Sequence, residues 1–169
     1  GQGGGSGYSI YLRGTDGSPA VRLGSGTATS LSRDGKWVIA IPSAPPPRQL
    51  VLLPTGPGES RPLTHDAINH HTARWLPDGR RFVFAGNEPG HGVRLWVQDV
   101  GGGRPRPISD EGIETFAIAV SPDGHWVAAV GTGQLRLHAT AGNATRQMPG
   151  VEAGEGPVGF SDDGRSLYV

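Results

Sequence analysis

A hydroxyl, a carboxylate and an imidazole, the side-chain types that together cleave amide and ester bonds, stand close together at Ser121, Asp123 and His125. Serine-based hydrolysis needs a base that takes the proton from the nucleophile and an acid that orients the base. Here all three belong to one turn, SPDGH. Three related stretches of the same sequence carry Lys36, Arg80 and Arg165 where this one carries His125. Interchange with ordinary cations marks a solvated position, so Ser121 and Asp123 are read as bracing the turn and His125 as pointing outward.

Metal chemistry has a second set of candidates. The segment HDAINHH holds His65, Asp66, His70 and His71, and Glu88 and His91 follow downstream. Imidazoles and a carboxylate would bind zinc where three of them converged. No HExxH helix is present, and the segment falls between two predicted strands, which favours a loop with solvated histidines. Asn69, His70 and Arg74 are its candidates for contact with a partner, because loops held on a rigid frame often carry recognition. The glycine-rich stretches GNEPGHG and VGGGRPR match neither GxGxxG nor GxxxxGK entering a helix, so no phosphate cradle is expected. The expectation for this segment is no catalytic residue, no metal and no cofactor.

Composition sets the outer limits. With 169 residues the chain is long enough for one domain with a sizeable core. Its 15 basic and 15 acidic residues cancel, Lys36 is the only lysine, and the arginines form no dense run, which argues against a nucleic-acid partner. Cysteine is absent, so disulfides and thiol chemistry are excluded. No apolar run reaches the length of a membrane-spanning helix, and no membrane insertion of the segment is expected. The sequence begins at Gly1 without methionine and stops at Val169 inside an apolar alternation, which reads as a piece of something longer. PSAPPPR, from Pro42 to Arg48, reads as a stiff loop.

The elements that would position any of these groups repeat. SRDGKWVIAI, LPDGRRFVFAG, SPDGHWVAAV and SDDGRSLYV each join an Asp-Gly turn to an apolar strand. The turn pairs are Asp34 and Gly35, Asp78 and Gly79, Asp123 and Gly124, and Asp163 and Gly164, with the glycines stepping by 44, 45 and 40 residues. In SPDG, proline presets the second turn position, aspartate accepts a nearby amide hydrogen and glycine takes positive φ. A structural role is assigned to all of these turn residues.

Other positions keep nearly the same step: Ile10, Leu50, Leu95 and Leu135; Leu23, Leu63, Ile108 and Met148; Leu31, Trp75, Val120 and Phe160. The last series is expected in the core, Trp37 and Trp126 between sheets, and Trp96 is left unassigned. Each unit reads as four short strands, and in the second unit the last of them, RPRPIS, bears proline and so suits an edge. Strand two is apolar on both faces in WVIAI and WVAAV, the pattern of a sheet covered on both sides. Four strands in a period of about 40 to 45 residues is the signature of a β-propeller.

The predicted fold is all-β: a flexible glycine-rich start at 1–7, a half-blade at 8–23, four-stranded antiparallel blades at 27–64, 72–109 and 115–149, and a half-blade at 157–169. Two closures fit, a four-bladed ring with one composite blade and an excerpt of a six- to eight-bladed propeller. The excerpt is preferred because both ends look cut. Unpaired half-blades expose strand edges, so the segment is expected to form a homodimer through them or to be marginally stable.

The units ARWLPDGRRFVFAGNEPGHGVRLWVQDVGGGRPRPIS and AIAVSPDGHWVAAV resemble the WD40-like β-propeller repeat of the TolB type, and SLSRDGKWVIAI and GFSDDGRSLYV resemble further copies. The Gly-His and Trp-Asp signatures of true WD40 repeats are absent. The resemblance implies a noncatalytic module that binds a protein or peptide partner, or senses a ligand, in a periplasmic or other extracytoplasmic setting. Three contexts follow from it: a sensor region attached to a bacterial serine/threonine kinase, which the phrasing most resembles; a substrate-gating propeller ahead of a serine-peptidase domain; and a TolB-like scaffold in envelope transport. It gives Asp34, Asp78, Asp123 and Asp163 a structural role and supplies no catalytic residue.

Overall fold

Strands that are apolar on both faces need a covering layer on either side. The computed structural model, which describes residues 8–152 and 154–169, shows how the chain meets that demand. A first pair is formed by β1 (Ser9–Leu12) and β2 (Val21–Ser25). The first four-stranded sheet follows with β3 (Thr27–Leu31), β4 (Trp37–Ile41), β5 (Val51–Pro54) and β6 (Arg61–Pro62). The second holds β7 (Asn69–Trp75), β8 (Arg81–Asn87), β9 (Arg94–Asp99) and β10 (Arg106–Pro107). The third holds β11 (Ile113–Val120), β12 (Trp126–Gly131), β13 (Gln134–Ala139) and β14 (Thr145–Gln147), and a last pair is formed by β15 (Gly159–Phe160) and β16 (Leu167–Tyr168).

Consecutive strands pair antiparallel throughout these sheets, so each is a simple meander. The two end pairs remain separate from each other, and the described residues form a series of sheets that is not closed into a ring. The composite blade considered for a four-bladed ring is therefore not what the chain forms. Residues 1–7, the expected flexible start, lie outside the described residues.

The sheets stack face to face. Ile39, Ile41, Leu50 and Leu52 of the first four-stranded sheet pack against Ala73, Phe82, Phe84 and Trp96 of the second. The opposite face of the second, with Val83, Ala85, Leu95 and Val97, meets Ile118, Val127 and Ala129 of the third. Ile10 covers Val38, Ala40 and Leu53 at one end, while Phe160 and Leu167 cover Ala119, Ala128 and Leu135 at the other. Alternation with a period of two sends neighbouring residues of β8 into two different interfaces, which is why RFVFAGN has no polar side. Trp96 is buried there, and its indole N–H donates to the Gly86 carbonyl at 3.0 Å.

The inner strands β3, β7 and β11 lie against one another, and each contains a register shift. Such irregularities bend a strand and increase its twist, and here they fall where the sheets draw together. In one register expected in the core, Leu31 departs: it is 54 % exposed, whereas Trp75, Val120 and Phe160 are half-buried and pack against the core. This position marks the inner end of each sheet, and Leu31, Trp75 and Val120 border an open cleft there.

Phe84 has no exposed surface, with ring centroids of His70, Phe82 and Trp96 at 4.5, 5.8 and 6.2 Å. Phe84→Ala is expected to cost about 3–5 kcal/mol, read as a lower urea midpoint at unchanged slope.

Candidate functional site: the cleft among the corner turns

Each inner strand ends in a hairpin corner, and the corners are built on one plan. In the first, the Gly35 amide donates to the Ser32 carbonyl at 2.9 Å and the Ser32 amide to the Trp37 carbonyl at 2.8 Å. The Ser32 hydroxyl donates to Asp34 Oδ1 at 2.7 Å and accepts from the Trp37 amide at 2.9 Å. Asp34 also accepts from the Lys36 amide at 3.1 Å. The hydroxyl–carboxylate bond recurs from Ser121 to Asp123 at 2.5 Å and from Ser161 to Asp163 at 2.7 Å. Leu76 takes the serine's place in the second corner, where Asp78 accepts from the Arg80 and Arg81 amides and from Arg81 Nε instead.

This arrangement decides the hydrolytic question. Ser121 donates its hydroxyl hydrogen to Asp123, and His125 Nδ1 lies 3.2 Å from the other oxygen of the same carboxylate. Hydroxyl and imidazole both converge on the carboxylate, so the imidazole does not face the serine as a general base would. The trio is a turn brace.

The carboxyls are held below their ordinary range by these bonds. The Ser32 hydroxyl and then the Lys36 amide lower Asp34; Ser121 and the His125 amide lower Asp123; Ser161 and the Arg165 amide lower Asp163. Burial works to raise Asp78, but bonds from Arg80 and Arg81 outweigh it and leave this carboxyl lowered as well. Near the β8–β9 loop, Glu111 accepts from the Gly92 amide at 2.9 Å, Arg94 at 2.7 Å and His91 at 3.0 Å, which together hold it at about 2.

Between the corners lies a cleft of about 430 Å³. The first sheet lends it Leu31 and Arg33, the second Trp75 and Pro77, the third Val120 and Pro122, and the last pair Asp162. Arg33, Pro77, Pro122 and Asp162 occupy the same turn position in successive corners. Adjacent corners touch through it: a Cβ placed on Gly124 would stand 3.0 Å from Pro77 Cδ, and one on Gly164 would stand 3.6 Å from Pro122 Cδ.

The residues singled out for partner contact stand elsewhere. β7 begins at Asn69, ahead of the expected unit boundary at 72, because Asn69 and His70 pair with Asn87 and Gly86. All three candidates reach the first sheet or the loop before β5. Asn69 Oδ1 accepts from the Arg48 amide at 3.0 Å, His70 Nδ1 lies 2.8 Å from the Arg48 carbonyl, and Arg74 donates to the Thr29 carbonyl. His70 is fully buried, and that burial pushes its pKa down against the opposing pull of Asp66. Solvated loop histidines describe His65 and His91, the latter exposed beside Glu111, whereas His71 lies in β7 with Nε2 2.9 Å from Asn87. Among the described residues no three His, Asp or Glu side chains gather as a metal site.

No protein-family model matches the chain. Over 73 residues it is 32% identical to the uncharacterized peptidase YuxL of Bacillus subtilis (strain 168), a match covering 43% of this chain and 11% of that protein. The structure superposes on TolB from Acinetobacter baumannii with a TM-score of 0.76 at 16% identity, over 94% of this chain and 42% of the other. A prolyl endopeptidase, from a study of inter-domain dynamics in catalysis and specificity, gives 0.65 at 18% identity over 92% of this chain and 26% of that one. The fold is one shared with TolB and with such peptidases, and the chain spans less than half the length of each of these proteins.

Two outcomes follow from the corner geometry. Gly35 and Gly124 both have φ of 72°, but only Gly124 has Pro77 against it. Gly35→Ala is expected to cost about 1–2 kcal/mol for the left-handed backbone alone, and Gly124→Ala distinctly more, measured by thermal unfolding. The aspartates and Glu111 have folded pKa values below their ordinary 3.8 and 4.5. Their contribution is complete above those ordinary values and lost as pH falls through the lowered ones. The urea midpoint should therefore decline between about pH 5 and pH 2, and Asp34→Asn, Asp123→Asn and Asp163→Asn together should flatten that decline.

Proposed function

We propose that this chain is a noncatalytic run of propeller blades of the WD40-like TolB type, an excerpt of a larger propeller that screens peptide substrates for an attached peptidase domain. The observation that carries the reading is the cleft to which successive sheets each deliver one equivalent residue, Arg33, Pro77, Pro122 and Asp162. Rigid sheets fix where those side chains stand, while the turn position they share tolerates any residue type that fits a corner. An entrance of this kind selects by charge and width without bond-making chemistry. The 32% identity to a peptidase supports this context over attachment to a kinase.

A second reading has its own support. The superposition on TolB covers 94% of the chain at a TM-score of 0.76 and favours a scaffold that binds a protein partner in the cell envelope. Both readings place recognition on the corner face and differ in what the rest of the protein does.

Treatment of the complete gene product with a fluorophosphonate, which marks activated serines, separates them. The peptidase reading expects one labelled serine outside residues 1–169 and none at Ser121. A protein that takes up no label, and that crosslinks to envelope proteins in cells, would replace the peptidase by the scaffold.

A further inference from the structure

The first corner breaks the pattern of the others. Pro77 packs toward Gly124 and Pro122 toward Gly164, so proline rings close the gaps on that side of the cleft. Between the first and second corners the equivalent residue is Arg33, and a Cβ placed on Gly79 would meet nothing within 4 Å. A cavity of about 420 Å³ stands where the contact would be, walled by Arg33, Trp37, Trp75, Pro77, Asp34 and Asp78.

The charges of this cavity are unevenly committed. Asp34 is bound by the Ser32 hydroxyl and the Lys36 amide, and Asp78 by Arg80 and Arg81, so both carboxylates serve their own turns. Arg33 is exposed and has no ion-pair partner among the described residues. Lys36 and Arg80 are exposed on the same corners. The lining itself sets Arg33 against Asp34 and Asp78; over the two corners as a whole, Arg33, Lys36, Arg80 and Arg81 against Asp34 and Asp78 leave two net positive charges. The third and fourth corners set Asp123, Asp162 and Asp163 against Arg165, two net negative charges with His125 neutral. The corner face is polarised across the cleft, with Arg33 on its positive side and Asp162 on its negative side.

We propose that the Arg33 cavity is the docking site for an acidic peptide segment bearing a large apolar side chain. The half-buried indoles of Trp37 and Trp75 offer apolar walls for that side chain, Arg33 lines the same cavity, and Lys36 and Arg80 are exposed on the two corners that flank it, which favours carboxylates beside the apolar residue. A basic segment meets repulsion at the same place. The inference rests on reading the chain as a recognition module and adds the chemistry of what is recognised.

Two fluorescein-labelled peptides test it on the full chain by anisotropy, Glu-Glu-Phe-Glu-Glu-Leu and its counterpart with lysine in place of every glutamate. The acidic peptide is expected to bind, more weakly as salt rises, and the basic one not to bind. Arg33→Pro recreates the SPDG turn and the missing proline contact, so it should raise the melting midpoint while weakening the acidic peptide by about tenfold. Arg33→Glu should reverse the preference between the peptides. Equal binding of both peptides, no binding of the acidic one, or unchanged affinity in a folded Arg33→Pro variant would each overturn the proposal. Fluorophosphonate labelling elsewhere in the gene product is independent of all three results, so the peptidase reading stands or falls separately.

Discussion

A sheet whose second strand is apolar on both sides holds together only between two others, and most of this molecule follows from that constraint. β8 sends Phe82 and Phe84 into one interface and Val83 and Ala85 into the next, all without exposed surface. Removing either neighbour would return a whole row of such side chains to water, at about 1.5–3 kcal/mol for each large one. The interfaces differ in filling. Aromatic rings dominate between the first and second four-stranded sheets, and branched aliphatics between the second and third. Each sheet is thus matched to a particular neighbour, although the backbone pattern repeats.

Stacking fixes the corners, and the corners divide their labour among few atoms. The aspartate and glycine hold the turn; the serine hydroxyl, where present, ties the carboxylate to the returning strand. The residue between serine and aspartate takes no part in that network, which leaves it free to line the cleft. Polar groups further along β7 do a different task. Arg74 and Asn69 join adjacent sheets through backbone groups, and His70 does so from full burial with Phe84 against its ring. Groups that a sequence reader would assign to recognition are here part of the frame.

Much of the frame was readable in the residues because period-two alternation and Asp-Gly turns are local signals. The strand pairs and the two-sided burial of WVIAI and WVAAV follow from them directly. What failed depended on neighbours that sequence does not reveal. Leu31, Trp75 and Val120 share a register and all border the cleft, but Trp75 and Val120 also pack against the core whereas Leu31 stays exposed. His70 sits in a polar run, HDAINHH, whose hydrophilicity suggested a loop; pairing with Gly86 drew it into the strand and under Phe84. The cleft residues carried one usable sign in the sequence. Arg33 and Asp162 stand where SPDG has proline, a position of the corner that changes in chemical type while the Asp-Gly pair stays.

The outermost strands Arg61–Pro62 and Arg106–Pro107 end two of the sheets with a residue that has no backbone donor. Lateral recruitment of another strand is discouraged at those rims, whereas the broad faces demand company. Growth by duplication can therefore add or delete an entire layer, while piecemeal widening of these two layers meets a chemical stop.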